Sequence, residues 1–206
     1  MEKLISQIHR KRLKNSKTFD NFVLKEFKKI MKKKEVKQNN ISKKLNLLVE
    51  INEKYESYNI MHPIRIAYYS NLFFKINIDL INLGLFHNFY EIKNINKKKY
   101  DKFLGKKLSD RIKILTVKKE NKFNSKYINK FYKKLNLTSN IVKKIKCLDK
   151  FDNLYNLKKN PDKKVKIKYL EEIVEFVLPI VKEQSYILFR YFVLLVNYNK
   201  KLLKKI

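Results

Sequence analysis

With only two glycines and three prolines in 206 residues, the chain has too few turn-formers for a sheet built of tight hairpins. Long stretches without a breaker point instead to helices joined by polar loops, an all-α fold. A single cysteine, Cys147, excludes an intramolecular disulfide and makes a reducing compartment, the cytoplasm, the default expectation. Its setting among apolar helix residues predicts a small buried side chain rather than a thiolate ligand. Long apolar runs are missing as well. Residues 1–14 are charged throughout, unlike a signal peptide, and the most apolar late segment, Tyr186 to Tyr198, is too short to span a bilayer and carries Arg190. No membrane association is expected. No internal repeat and no glycine-rich phosphate loop is present.

Acidic residues are scarce: 19 Asp and Glu stand against 50 Lys and Arg, a formal net charge of +31. A field of that size suits a polyanionic partner or an anionic ligand. The accompanying skew toward Lys, Asn, Ile, Tyr and Phe is also what an AT-rich coding sequence gives. Hydrophobic residues at 44% suffice for a proper core.

Against this background, the stretch from Tyr58 to Ile92 concentrates chemistry. It holds two of the three histidines, His62 and His87, about one helical hairpin apart, with Asn88 and Glu91 following the second. Neutral imidazoles and carboxylates are the usual ligands of a borderline divalent ion, and helices that pack together bring such groups from distant segments to one point. A third contributor lies further on: Asp149 and Asn153 are four residues apart on one face of an expected helix, among apolar Ile145, Leu148, Phe151 and Leu154. His9 stands apart among Arg10, Lys11 and Arg12, outside this group.

The segments Met61-His62-Pro63, Leu85-Phe86-His87-Asn88-Phe89-Tyr90-Glu91-Ile92 and Lys146-Cys147-Leu148-Asp149-Lys150-Phe151-Asp152-Asn153 occur in this order. Together they resemble the hydrolase domain of the RelA/SpoT family, a branch of the HD-domain phosphohydrolases. The likeness extends to Leu104-Gly105, to Ile114-Leu115-Thr116, and to a closing helix with Glu172 and Pro179, and covers roughly residues 41–182. It implies an HD-domain-like helical bundle holding a divalent metal, manganese being the expected ion, on His62, His87, Asn88 and Asp149. Glu91 would orient or deprotonate the attacking water, and Asn153 would hold the nucleotide near the scissile phosphate. The substrate implied is the alarmone (p)ppGpp, which loses its 3′-pyrophosphate.

Two positions depart from the family pattern. Asn88 replaces the Asp of the His-Asp pair, and Ile92 replaces the second acid. The basic segment that holds the base in the family is poorly matched by Glu53-Lys54-Tyr55-Glu56. These departures leave two further readings open: a degenerate HD domain that binds nucleotide or a partner without hydrolysis, and a basic all-α module for nucleic acid. The latter draws on residues 1–40, expected as a basic helical extension with a lysine-rich run from Lys28 to Lys37 and a linker at Gln38-Asn39-Asn40. The domain proper is expected over residues 41–206. In it Ser42 is placed as a helix N-cap, Pro63 in a first helical turn, and Lys118 to Lys126 as either a basic lid or an ordinary solvated loop.

Overall fold

The computed structural model describes residues 2–33, 41–55 and 59–204, and among these there is no β-strand. The helices are α1 (Glu2–Lys14), α2 (Ser16–Met31), α3 (Ile41–Lys54), α4 (Met61–Phe73), α5 (Ile78–Phe86) and α6 (Lys97–Leu104). They continue as α7 (Lys106–Leu115), α8 (Ser125–Asn136), α9 (Asn140–Asn156), α10 (Lys163–Glu172), α11 (Leu178–Gln184) and α12 (Tyr186–Leu203). The all-α expectation holds. No described helix is long and apolar enough to cross a membrane.

A chain poor in glycine and proline needs another way to start and stop helices, and asparagine supplies it. Asn15, Asn77, Asn96 and Asn124 each accept a hydrogen bond from the backbone amide three residues on, as N-caps of α2, α5, α6 and α8. Asp162 and Ser185 cap α10 and α12 in the same way. Ser42, expected as a cap, lies inside α3, which already begins at Ile41. Each glycine has a separate use. Gly105, at φ +80°, turns the chain between α6 and α7 in the left-handed region that a side chain would strain. Gly84 lets α5 rest on α4: a Cβ there would stand 3.2 Å from the backbone nitrogen of Ala67.

Helix α9 is the axis of the molecule, contacting α4, α5, α7, α8, α11 and α12. Its Phe151 packs edge-on against Tyr69 and Phe73 of α4, at ring-centroid distances of 5.5 Å each, and against Phe192 of α12. The last turns of α10 run into α11 through a π-turn, Ile173–Val177, where the Leu178 amide bonds the Ile173 carbonyl five residues back. The extra residue falls just before Pro179, whose ring cannot continue a regular ladder.

The division into an extension at 1–40 and a domain at 41–206 does not survive the packing. Ile8, Phe19, Val23, Phe27 and Ile30 belong to the same hydrophobic cluster as the side chains of α4, α5 and α9. Phe19 stacks on Tyr69, and α2 lies along α4. The apolar face of α1 and α2 is wide enough that solvating it would be unfavourable, so these helices close one side of the bundle. The linker at Gln38-Asn39-Asn40, the lysine run beyond residue 33, and Glu56 of the poorly matched segment fall outside the described residues.

Candidate metal centre

His62 is the second residue of α4, with Pro63 next to it where a missing N–H is harmless, so the imidazole stands at the open end of the helix. His87 ends α5, and its Nδ1–H donates to the free carbonyl of Gly84, 2.8 Å away. That bond turns Nε2 of His87 inward. On His62 the Nδ1–H donates to Asp152 Oδ2 at 2.8 Å, again leaving Nε2 to face inward. Helix α9 delivers Asp149 to the same point.

Three ligand atoms thus converge. The two Nε2 atoms are 3.0 Å apart, and Asp149 Oδ1 lies 3.3 Å from that of His62 and 3.8 Å from that of His87. Ligands bound at about 2.0–2.2 Å to a common ion at angles of about 90–110° are about 2.8–3.6 Å apart. Two edges of the triangle lie in that range and the third is slightly longer. Two bare imidazole nitrogens cannot face each other at 3.0 Å without something positive between them. Burial opposes charge on His62, but its hydrogen bonds to Asp149 and Asp152 outweigh burial and push its pKa up to about 9.

Asn88 lines the same cavity, and its Oδ1 is buried with no hydrogen-bond partner. A buried acceptor without a donor is unfavourable unless a cation compensates it. Two imidazoles, one carboxylate and this amide oxygen form a mixed nitrogen and oxygen set suited to a borderline divalent ion, so the residues present fit a metal.

The cavity holds about 450 Å³. Glu91 lies on its wall, with Oε1 accepting from the Val117 amide at 3.4 Å. Lys146 and Lys150, one turn apart on α9, are nearly buried and line it as well. Lys146 pairs with Asp149 at 3.2 Å. Burial opposes its charge, yet Asp149, Glu91 and Glu172 overcome that and raise its pKa. Lys150 pairs with Glu172 at 2.6 Å, but for it burial wins and the pKa is lowered. Lys122 and the half-exposed Phe123, from the stretch expected as lid or loop, form part of the rim. Asp149 is held well below the usual carboxylate range: burial works against ionisation, but Lys146 and the two histidines more than offset it.

Of the residues singled out by sequence, His62, His87 and Asp149 meet, and Asn88, Glu91 and Asn153 line the cavity they share. Asn153 Nδ2 donates to Asp149 Oδ1 at 2.8 Å, which ties the two α9 side chains together at the cavity. Ile92 is in the hydrophobic core. His9 sits elsewhere, its Nδ1 hydrogen-bonded with the Tyr155 hydroxyl at 2.6 Å. Cys147 is buried, and burial pushes its thiol up, as a structural cysteine requires.

Sequence reasoning missed Asp152. It lies three residues after Asp149 and is fully buried, with Arg12 of α1 and Arg65 of α4 both paired to it. A signal existed in the repeated spacing of three, Asp149 to Asp152 and His62 to Arg65, which keeps each pair on one helical face. Compared with known proteins, the sequence matches no family model and no curated protein.

Proposed function

We propose that the protein is a metal-dependent phosphohydrolase acting on a nucleotide polyphosphate, related to the (p)ppGpp 3′-pyrophosphohydrolases of the HD-domain group. The observation that carries this reading is the meeting of His62, His87 and Asp149 in a cavity that Asn88, with its partnerless Oδ1, and two nearly buried lysines also line. A divalent ion, manganese by the resemblance, would supply Lewis acidity to a phosphoryl oxygen and to water.

The chain's own residues supply the rest. Lys146 and Lys150 offer positive charge where a phosphate chain would lie, in a setting dry enough for that charge to count. Glu91, which also lines the cavity, accepts the proton of the attacking water. As the water oxygen adds to the phosphorus bound to the 3′-oxygen, the P–O bond to that oxygen breaks, the 3′-oxygen takes up the proton held by Glu91 and leaves as the alcohol, and pyrophosphate departs with the water oxygen. Asn153 keeps Asp149 in the rotamer that points its Oδ1 at the two histidines.

A second reading is favoured by Ile92. At the position where the family has its second acid the chain carries a core side chain, so Glu91 works without that partner. A domain that binds nucleotide and metal but does not turn over would look the same.

The test is metal analysis of the purified protein, with pyrophosphate and phosphate release from a panel of guanosine and adenosine polyphosphates in manganese. Hydrolysis is expected, with Asp149→Ala losing both metal and turnover. Glu91→Gln should keep metal and lose about 10²–10⁴ in rate. Metal uptake with no release from any nucleotide would select the binding reading, and no metal uptake would remove both.

A further inference from the structure

We propose that Asp152 is a positioning residue for this site, fixing the His62 ring through Nδ1, and that Arg12 of the first helix completes the support. The inference rests on the metal reading above but concerns residues to which neither the resemblance nor the sequence pattern gave a role.

Asp152 has no exposed surface, and both its oxygens are occupied. Oδ2 accepts from His62 Nδ1 at 2.8 Å and from Arg65 Nη2 at 3.0 Å. Oδ1 accepts from Arg65 Nε at 2.9 Å and from Arg12 Nη2 at 2.7 Å. Arg12 also donates to the Asp152 carbonyl at 2.9 Å and to the Tyr69 hydroxyl, and its guanidinium lies 4.0 Å from the centre of the Tyr155 ring. The far side of Arg65 is held by Asp20 of α2 at 2.9 Å.

Such a network is poor value as a stabiliser, since desolvating two guanidinium groups and a carboxylate costs roughly what their attraction returns, and apolar side chains would pack as well. Its geometry has a different use. Both oxygens of the Asp152 carboxylate are committed as acceptors, so it meets His62 only through Nδ1–H, and Nε2 is the nitrogen left facing His87 and Asp149. The bidentate fork from Arg65 fixes the plane of the carboxylate, and Arg12 locks that plane to the backbone of α9. Helix α1, which lies outside the region of resemblance, thereby reaches within one side chain of the ligand set.

The experiment uses the full chain. Manganese affinity is measured by calorimetry, and the imidazole N–H groups are observed by ¹H–¹⁵N correlation in the metal-free protein. Asp152→Asn puts an amide N–H₂ opposite His62 or Arg65. It is expected to weaken manganese binding by about 10–100-fold and to remove the hydrogen-bonded Nδ1–H signal of His62. Asp20→Asn removes the outer partner of Arg65 without touching His62. It is expected to lower the thermal midpoint while leaving manganese affinity within about twofold, a separation that a purely structural network would not produce. Native-like affinity in Asp152→Asn, or affinity loss in Asp20→Asn as large as in Asp152→Asn, overturns the proposal. If Asp152→Asn does not fold, Arg12→Lys replaces it, keeping the charge and losing the fork. Several-fold weaker binding is then expected, and unchanged affinity overturns the proposal. Should the native chain take up no manganese, the functional reading fails and the imidazole spectrum alone decides. A slowly exchanging His62 Nδ1–H that disappears in Asp152→Asn or Arg12→Lys upholds the positioning role, and its absence from the native protein rejects it.

Discussion

Removing residues 1–40 is expected to unfold the protein. Ile5, Ile8, Phe19, Val23, Phe27 and Ile30 are all between 0% and 4% exposed. Full burial of an apolar side chain of this size is worth about 1.5–3 kcal/mol, so these six account for about 9–18 kcal/mol. The net stability of a whole domain is about 5–15 kcal/mol, and truncation also strips the apolar surfaces of α4 on which α2 rests. Asp152 would lose Arg12, leaving a buried carboxylate with one cation fewer, which adds a further penalty of about 3–5 kcal/mol by the usual cost of breaking a buried pair. The assay is circular dichroism and size-exclusion chromatography of residues 41–206 beside the full chain. The expected result is loss of the cooperative thermal transition, with aggregation. A monomeric fragment that melts cooperatively near the full-length midpoint would refute the reasoning and restore residues 1–40 as a detachable arm.

Asn88→Asp should tighten manganese binding, on the order of tenfold, because a neutral oxygen becomes an anionic one at a position already facing the cavity; calorimetry reads it. Manganese affinity should rise with pH up to about 9, near tenfold per unit, because the ion must displace the proton on His62. For the metal-free protein the sign is opposite. The folded-state pKa of His62 is raised above its ordinary 6.5, so its contribution to stability is complete below about pH 6.5 and is lost as pH rises through about 9. Denaturant midpoints measured from pH 6 to 10 without metal should fall across that window. Gly84→Ala should cost about 1–3 kcal/mol, since the added Cβ meets the backbone of Ala67 as well as Ile66 Cγ2. The same change should weaken metal binding, because the Gly84 carbonyl holds His87.

The helices were readable because their apolar positions recur at helical spacing and almost nothing interrupts them. Two parts of the ligand set were equally open to a reader of the chain: a histidine beside a proline at a helix start, and a carboxylate with Asn153 one turn later. Other parts depend on which helices touch, and spacing along the chain carries no such information. For Asp152 the spacing of three from Asp149 shows only a shared helical face; the approach of Arg12 and Arg65 from two other helices makes it a buried anion. The lysine-rich character of residues 1–40 suggested a basic helical extension separate from the domain, because charge dominates a reading by composition. The stripe formed by Phe19, Val23, Phe27 and Ile30 was visible on the same helix, and the energetics of burying it decide the outcome. Ser42 looked like a cap because serine often is one, but the helix starts one residue earlier.

His62, His87 and Asp149 come from α4, α5 and α9, so one ion would tie three sequence-remote segments to a single point. In a chain whose lone thiol is buried and cannot form a bridge within the molecule, that ion would be a strong cross-link, closing loops far longer than a helix turn. The consequence is that chelation should do more than stop chemistry: it would remove a staple, and the protein's resistance to heat and proteolysis would track the supply of metal around it.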